Sequence, residues 1–234
     1  MISVDGLTAY LSQPVGGSRA GMLLLPMITG IAEQVRDWAD ELAASGVTAL
    51  SWDPWEGRPG ADETPANELF GWMSQLDDAK CLSDQTRLLD YLHDGLGCER
   101  VGVIGWCMGG RFALLLAGQD NRLANVVAYH PTVPAAPAPN HTLDAVEHAA
   151  KIQAPVMMHY AGADAIVPVE SLHRLQSALN GRDTGASIVH VYPGAGHGFS
   201  ARDKHDNPVN AAAFAVSWPQ ALSFIHATTG IAGE

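Results

Sequence analysis

Cysteine is scarce in this chain. Three residues of 234 (Cys81, Cys98 and Cys107) make no disulfide framework, and an odd count suits a reducing compartment. No Cys-x-x-Cys or His-x-x-x-His spacing offers a ligand set, so no metal is expected. Basic residues are scarce too: 13 Lys and Arg stand against 25 Asp and Glu, a formal charge of −12. The acids are spread along the chain and not gathered in a tail, which argues against nucleic acid and against anionic membrane surfaces as partners. No apolar run approaches the roughly 18 residues of a membrane-spanning helix. The N-terminal stretch MISVDGLTAYLSQP has neither the basic start nor the apolar centre of a secretory signal, so a cytoplasmic location is expected. There is no internal repeat and no linker. Residues 1–234 therefore read as a single domain, long enough for a substantial core.

What the chain does have is alternation of short apolar runs with amphipathic ones. Residues 2–12 predict a β-hairpin turning at Asp5-Gly6. A buried strand is expected at Met22–Leu25, and further strands at Val47–Leu50, Val101–Ile104, Asn125–Tyr129, Pro155–Tyr160 and Ala186–Tyr192. Between them lie helical patterns at about 32–44, where Val35, Trp38, Ala39 and Leu42 share one face, and at 67–76, 81–96 and 169–180. A last helix over 209–227 is expected to break or kink at Pro219, and PTVPAAPAPN (131–140) cannot be regular structure. This order predicts an α/β fold, a mostly parallel central sheet with helices on both faces.

The stretch VGVIGWCMGGR (101–111) carries the chemistry. Gly105 and Gly109 flank Cys107 at two-residue spacing, the G-x-S-x-G pattern with Cys in place of Ser. It lies between a strand and a helix-forming run, as a nucleophile elbow requires. Two more loops past strand ends hold candidates: AGADAIVP with Asp164, and PGAGHGF with His197. Chain order is then nucleophile, acid, base. A thiolate at a helix start, a histidine to move its proton and an aspartate to orient the histidine make an acyl-transfer set. The backbone N–H of Met108 and one near Ile28 would receive the oxyanion. His130 ends a strand beside the elbow, and Trp52, Trp55, Trp106 and Phe199 sit where they could line an apolar pocket.

With GWCMGG, AGADAIVP and GAGHGF on the same chain, the sequence resembles the dienelactone hydrolase family over nearly its whole length. That resemblance implies an α/β-hydrolase fold, no cofactor, and hydrolysis of an enol lactone through an acyl-thiol enzyme. It places Cys107, Asp164 and His197 in the triad and Met108 and Ile28 in the oxyanion hole. Two departures stand out. Where the family carries a Glu that contacts the thiol, this chain has Met27. Of the two arginines that hold the substrate carboxylate, one position is Ala201, with Arg202 a step along, and the other has no counterpart near Thr64–Leu69. His130 stands where the family often has Tyr. The substrate then either lacks a carboxylate or is held differently, with Met27, Trp106, His130, Phe199 and Arg202 as the expected substrate contacts.

The expectation is a Cys-His-Asp hydrolase of a small lactone or an activated enol or aryl ester, acting as a monomer or small homo-oligomer. Two other readings stand beside it: a thioesterase or acyl-transfer enzyme, and a ligand-binding protein that keeps the fold without turnover.

Overall fold

The computed structural model describes residues 1–230. β1 (Ile2–Val4) and β2 (Leu7–Ser12) form the expected hairpin. Asp5 and Gly6 both lie at positive φ (48° and 85°), as a tight primed turn demands. β2 then pairs antiparallel with β4 (Thr48–Trp52). From there every pairing is parallel: β3 (Ala20–Leu25) lies between β4 and β5 (Arg100–Trp106), followed by β6 (Val126–Tyr129), β7 (Val156–Ala161) and β8 (Ser187–Tyr192). The eight strands run in the order β1-β2-β4-β3-β5-β6-β7-β8. β5 occupies the middle, so the residue that follows it opens at the centre of the carboxyl edge, where open α/β sheets place their sites.

Helices cover both faces. On one, α1 (Glu33–Ala44) buries the Val35, Trp38, Ala39 and Leu42 stripe, and α7 (Pro208–Thr229) buries Trp218, Ala221 and Ile225 in the same core. On the other pack α3 (Asp78–Asp90), α4 (Met108–Gln119), α5 (Ala145–Ala149) and α6 (Val169–Asn180). A shorter α2 (Ala66–Met73) contributes Leu69 to that core. The period of two is explicit in β5: Val101 and Val103 face the α3–α6 layer, Ile104 and Trp106 the α1–α7 layer. This is the fold class that the alternating pattern predicts.

Some elements differ from expectation. β4 continues through Trp52, which is a buried strand residue and not part of a loop. α3 starts three residues early because Asp77 caps it, its carboxylate accepting the Lys80 N–H at 2.7 Å. The helix then loosens into a π-turn over Tyr91–Gly95. α5, capped by Asp144, was not anticipated, being only five residues long. α7 runs uninterrupted past Pro219. An interior proline costs about 3 kcal/mol, which the burial of Trp218, Ala221 and Ile225 on either side offsets.

Candidate active site

Glycine makes the turn at the end of β5 possible. A Cβ on Gly105 would lie 2.1 Å from the Gly109 carbonyl oxygen, and one on Gly109 would lie 1.9 Å from the Leu25 carbonyl oxygen. Only bare backbone lets α4 start this close to β3 and β5. Cys107, at the turn, sits at φ 53°, ψ −115°, a conformation that costs a non-glycine residue on the order of 1–3 kcal/mol. Three backbone hydrogen bonds hold it there: its N–H donates to Tyr129 O (3.0 Å), and its carbonyl accepts from Arg111 (3.1 Å) and Thr132 (3.0 Å). Gly109→Ala is accordingly expected to give little folded, active protein. Normal melting by circular dichroism together with normal turnover would contradict this close approach.

Strained in this way, the thiol points at a histidine. Cys107 Sγ lies 3.1 Å from His197 Nε2, and His197 Nδ1 lies 2.7 Å from Asp164 Oδ2, the geometry in which Nδ1–H donates. The other Asp164 oxygen accepts the N–H groups of Ile166 (2.8 Å) and Val167 (2.9 Å), which locks the carboxylate in its loop. The Asp164 side chain is fully buried and that of His197 is 11% exposed. Three loops from β5, β7 and β8 thus bring residues 33 and 90 positions apart into one line.

Two further groups reach the sulfur. The Thr132 hydroxyl lies 3.1 Å from it, and the Met108 N–H donates to it from the first turn of α4. Burial alone would push the Cys107 thiol up. The hydrogen bond and charge of His197, with Thr132 and the Met108 N–H, outweigh burial and bring its pKa below the ordinary value. His197 moves the opposite way. Burial lowers it, but hydrogen bonds to Asp164 and Cys107 and the charges of both push it up to about 10. The two opposite shifts both favour the thiolate–imidazolium form of the pair. Cys81 and Cys98 differ: both are buried, with pKa values pushed up by burial, Cys81 to about 12 with the Asp84 charge adding to it.

The chain matches the dienelactone hydrolase family model over residues 7–229, nearly end to end. The chain belongs to the dienelactone hydrolase family. Among curated relatives, proteins provisionally named carboxymethylenebutenolidase are 29% identical in Salmonella typhi (202 residues; 84% of this chain, 74% of that one) and 30% identical in Azospirillum brasilense (211 residues; 84% of each). A solved Klebsiella pneumoniae structure, provisionally described as a dienelactone hydrolase, superposes with TM-score 0.82 at 24% identity, covering 95% of both chains. That likeness shows a shared fold. Membership makes this chain a carboxylic ester hydrolase of the dienelactone hydrolase type.

The expected substrate contacts of this family member fall elsewhere. Trp106 is fully buried, stacked on Trp38 with ring centroids 4.2 Å apart, because strand alternation turns it into the α1–α7 layer. Phe199 is fully buried and Met27 is buried in the same core. Arg202 pairs with Asp37 on α1, so its charge is engaged at the surface. His130 is fully buried at φ 33°. Its Nε2 is 2.8 Å from Ser200 Oγ and its ring packs edge-on to His197 with centroids 5.1 Å apart. Burial, and then the nearby His197 charge, drive the His130 pKa well below the ordinary histidine value, so it stays neutral and backs His197. Trp55 is fully buried as well.

A cavity reached by two neighbours of Cys107, Met108 and Thr132, lies on the opposite side, against the α3–α4 layer. It measures about 260 Å³, and its walls include Met73, Leu76, Met108, Phe112, Pro134 and Ile166. Thr132 is also part of its lining. The proline-rich segment forms part of the wall, with Ala138 and Pro139 lining the same space. Sequence reasoning missed Thr132 and this wall. The available signal was the position of the proline run, directly after the strand next to the elbow. The Ile28 N–H makes no hydrogen bond within the protein among the described residues, and its loop lies beside Met108 because Gly109 packs on Leu25 and Pro26.

Proposed function

We propose that Cys107, His197 and Asp164 hydrolyse a small lactone or an activated enol or aryl ester through an acyl-thiol enzyme, on a single domain in a reducing cytoplasm where the thiol stays free. The observation that carries this is the line Asp164–His197–Cys107 at 2.7 and 3.1 Å, with the sulfur's pKa lowered and the imidazole's raised. The thiolate attacks the carbonyl carbon, and the carbonyl π electrons move onto oxygen, which the N–H groups of Met108 and Ile28 receive. Re-forming the carbonyl expels the enolate or phenolate, and that oxygen takes the proton from His197 Nε2. Neutral His197 then removes a proton from water as the water oxygen attacks the thioester carbon. Collapse expels the thiolate and frees the acid, leaving thiolate and imidazolium paired again.

A stable leaving oxyanion suits this nucleophile. The tetrahedral adduct must expel oxygen in preference to sulfur, and a poor alkoxide would lose that contest. The relatives' names are consistent with this class: carboxymethylenebutenolidase, and in a Bradyrhizobium protein 28% identical over 194 residues, a provisionally assigned 2-oxo-3-(5-oxofuran-2-ylidene)propanoate lactonase.

The pH dependence of Cys107 alkylation by iodoacetamide tests the ion pair. A lowered thiol pKa means that thiolate, and so labelling, is half-maximal below the ordinary value of 9.0, and falls as pH drops through that point. The His197 pKa, pushed up to about 10, sets the upper edge of the window in which the pair is charged. In His197→Ala the hydrogen bond and charge of His197 are lost, only Thr132 and the Met108 N–H are left to oppose burial, and the half-point moves up. An ordinary profile that His197→Ala leaves unmoved would refute the assignment.

A further inference from the structure

The 260 Å³ cavity, lined by Met108 and by Thr132, whose hydroxyl is 3.1 Å from Cys107 Sγ, falls below the usual range of about 300–1,000 Å³ for drug-sized ligands, so it suits a fragment of about one ring. Most of its polar wall groups are already engaged. The one cation among its lining residues, Arg111, is 4% exposed in its side chain and donates both arms of its guanidinium to Asp78, at 2.7 and 2.8 Å. Arg111 Nη2 also donates to Leu143 O at 2.8 Å. Asn140 spends its amide N–H groups on the carbonyls of Met73 (3.0 Å) and Leu76 (3.1 Å), and the Ser74 hydroxyl donates to Gly71 O at 2.8 Å. The Thr132 hydroxyl faces Cys107 Sγ at 3.1 Å. His141 is held below the ordinary histidine pKa, first by burial and then by the Arg111 charge, and is neutral at pH 7.

We propose that this cavity receives an uncharged, apolar portion of the substrate and discriminates against a substrate that would place a carboxylate there. The inference rests on the acyl-thiol reading above and narrows its substrate class to neutral lactones and esters. A carboxylate in the cavity would lose its water and meet the Asp78 carboxylate, with no uncommitted cation to receive it. Competition for Arg111 would break a buried pair and leave Asp78 exposed to the same penalty. The formal charge of −12 acts in the same direction on the approach of an anion. Shape adds to charge: Met73, Leu76, Phe112 and Pro134 offer apolar surface on which a neutral ring gains contact area.

The test uses two probes that differ in one group: a butenolide ring bearing an exocyclic methylene, and the same ring bearing a carboxymethylene. Binding of each to full-length Cys107→Ala protein is measured by calorimetry, and turnover of each by the wild type. The methylene ring is expected to bind roughly tenfold or more tightly than the carboxymethylene ring, with kcat/KM in the same order. Ile166→Arg, which puts a free cation on the cavity wall outside the reacting groups, is expected to shift that ratio toward the carboxymethylene ring. Equal or tighter binding of the carboxymethylene ring by Cys107→Ala overturns the inference, as does no binding of the methylene ring. If Cys107→Ala prefers the neutral ring while the wild type turns over neither, the acyl-thiol reading falls and the account of the cavity stands.

Discussion

Cys107→Ala leaves a folded protein whose kcat/KM for an activated aryl ester is lower by about 10⁴-fold or more. Removing a nucleophile that works as a unit with its base costs nearly as much as removing the whole set, and the residual rate comes from oxyanion stabilisation and binding. Folding survives because the turn is fixed by backbone bonds from Tyr129, Arg111 and Thr132, and by Gly105 and Gly109, none of which needs the sulfur. Asp164→Asn is the complementary case. It keeps the Ile166 and Val167 caps on one side-chain oxygen, but the amide cannot hold an imidazolium as a carboxylate does, and about 10⁴-fold in kcat is the scale of loss when that orientation and charge are removed. Steady-state kinetics with a chromogenic ester, beside a circular dichroism spectrum, checks both variants. Either one retaining wild-type kcat/KM would remove its residue from the mechanism.

Arg111→Ala costs stability instead. The Arg111–Asp78 pair ties α4 to α3 with side chains 4% and 1% exposed, and Asp78 also accepts the Leu143 N–H at 2.9 Å. Burial raises the Asp78 pKa, and the hydrogen bond and charge of Arg111 with the Leu143 N–H reverse that to a net lowering. Taking away one partner of a buried pair leaves an uncompensated charge, which costs about 3–5 kcal/mol. For a chain of this length that corresponds to a fall in Tm of roughly 6–20 °C. The double variant Asp78→Leu with Arg111→Met is expected to recover much of the loss, because no charge is left buried. Thermal unfolding of the three proteins decides it. An Arg111→Ala protein melting with the wild type would show that the pair contributes nothing. The sign with pH follows from the lowered Asp78 pKa: its contribution is present above the carboxyl's ordinary value of 3.8 and is lost as pH falls through the folded value.

The succession of strands along the chain and the three candidate residues at their ends were legible because each is a local statement. Cys107 sits between glycines after a β-branched run, and Asp164 and His197 follow the strands that become β7 and β8. The parallel sheet does the rest, since its carboxyl edge gathers what the sequence separates. The cavity wall was less legible because it depends on which layer a side chain enters. Trp106 sits one position before Cys107 in the sequence, yet period-two alternation sends it to Trp38 and away from the cavity. Ile104, two residues earlier and in the same core, already indicated that face. Arg202 stood near His197 in the chain, but its guanidinium found Asp37. Thr132 was passed over within a run read only as proline-rich, and its hydroxyl lies as close to the sulfur as His197 does. Local motifs name the candidate groups, and long-range packing chooses what surrounds them.

The most direct measurement is mass spectrometry of the intact protein, quenched in acid during turnover of a slowly deacylating aryl ester and then mapped by peptide digestion. The account predicts a mass gain equal to the acyl group, carried by the peptide holding Cys107 and absent from Cys107→Ala. Rapid turnover with no adduct at any time, or an acyl group found on another residue while Cys107→Ala remains active, would contradict it.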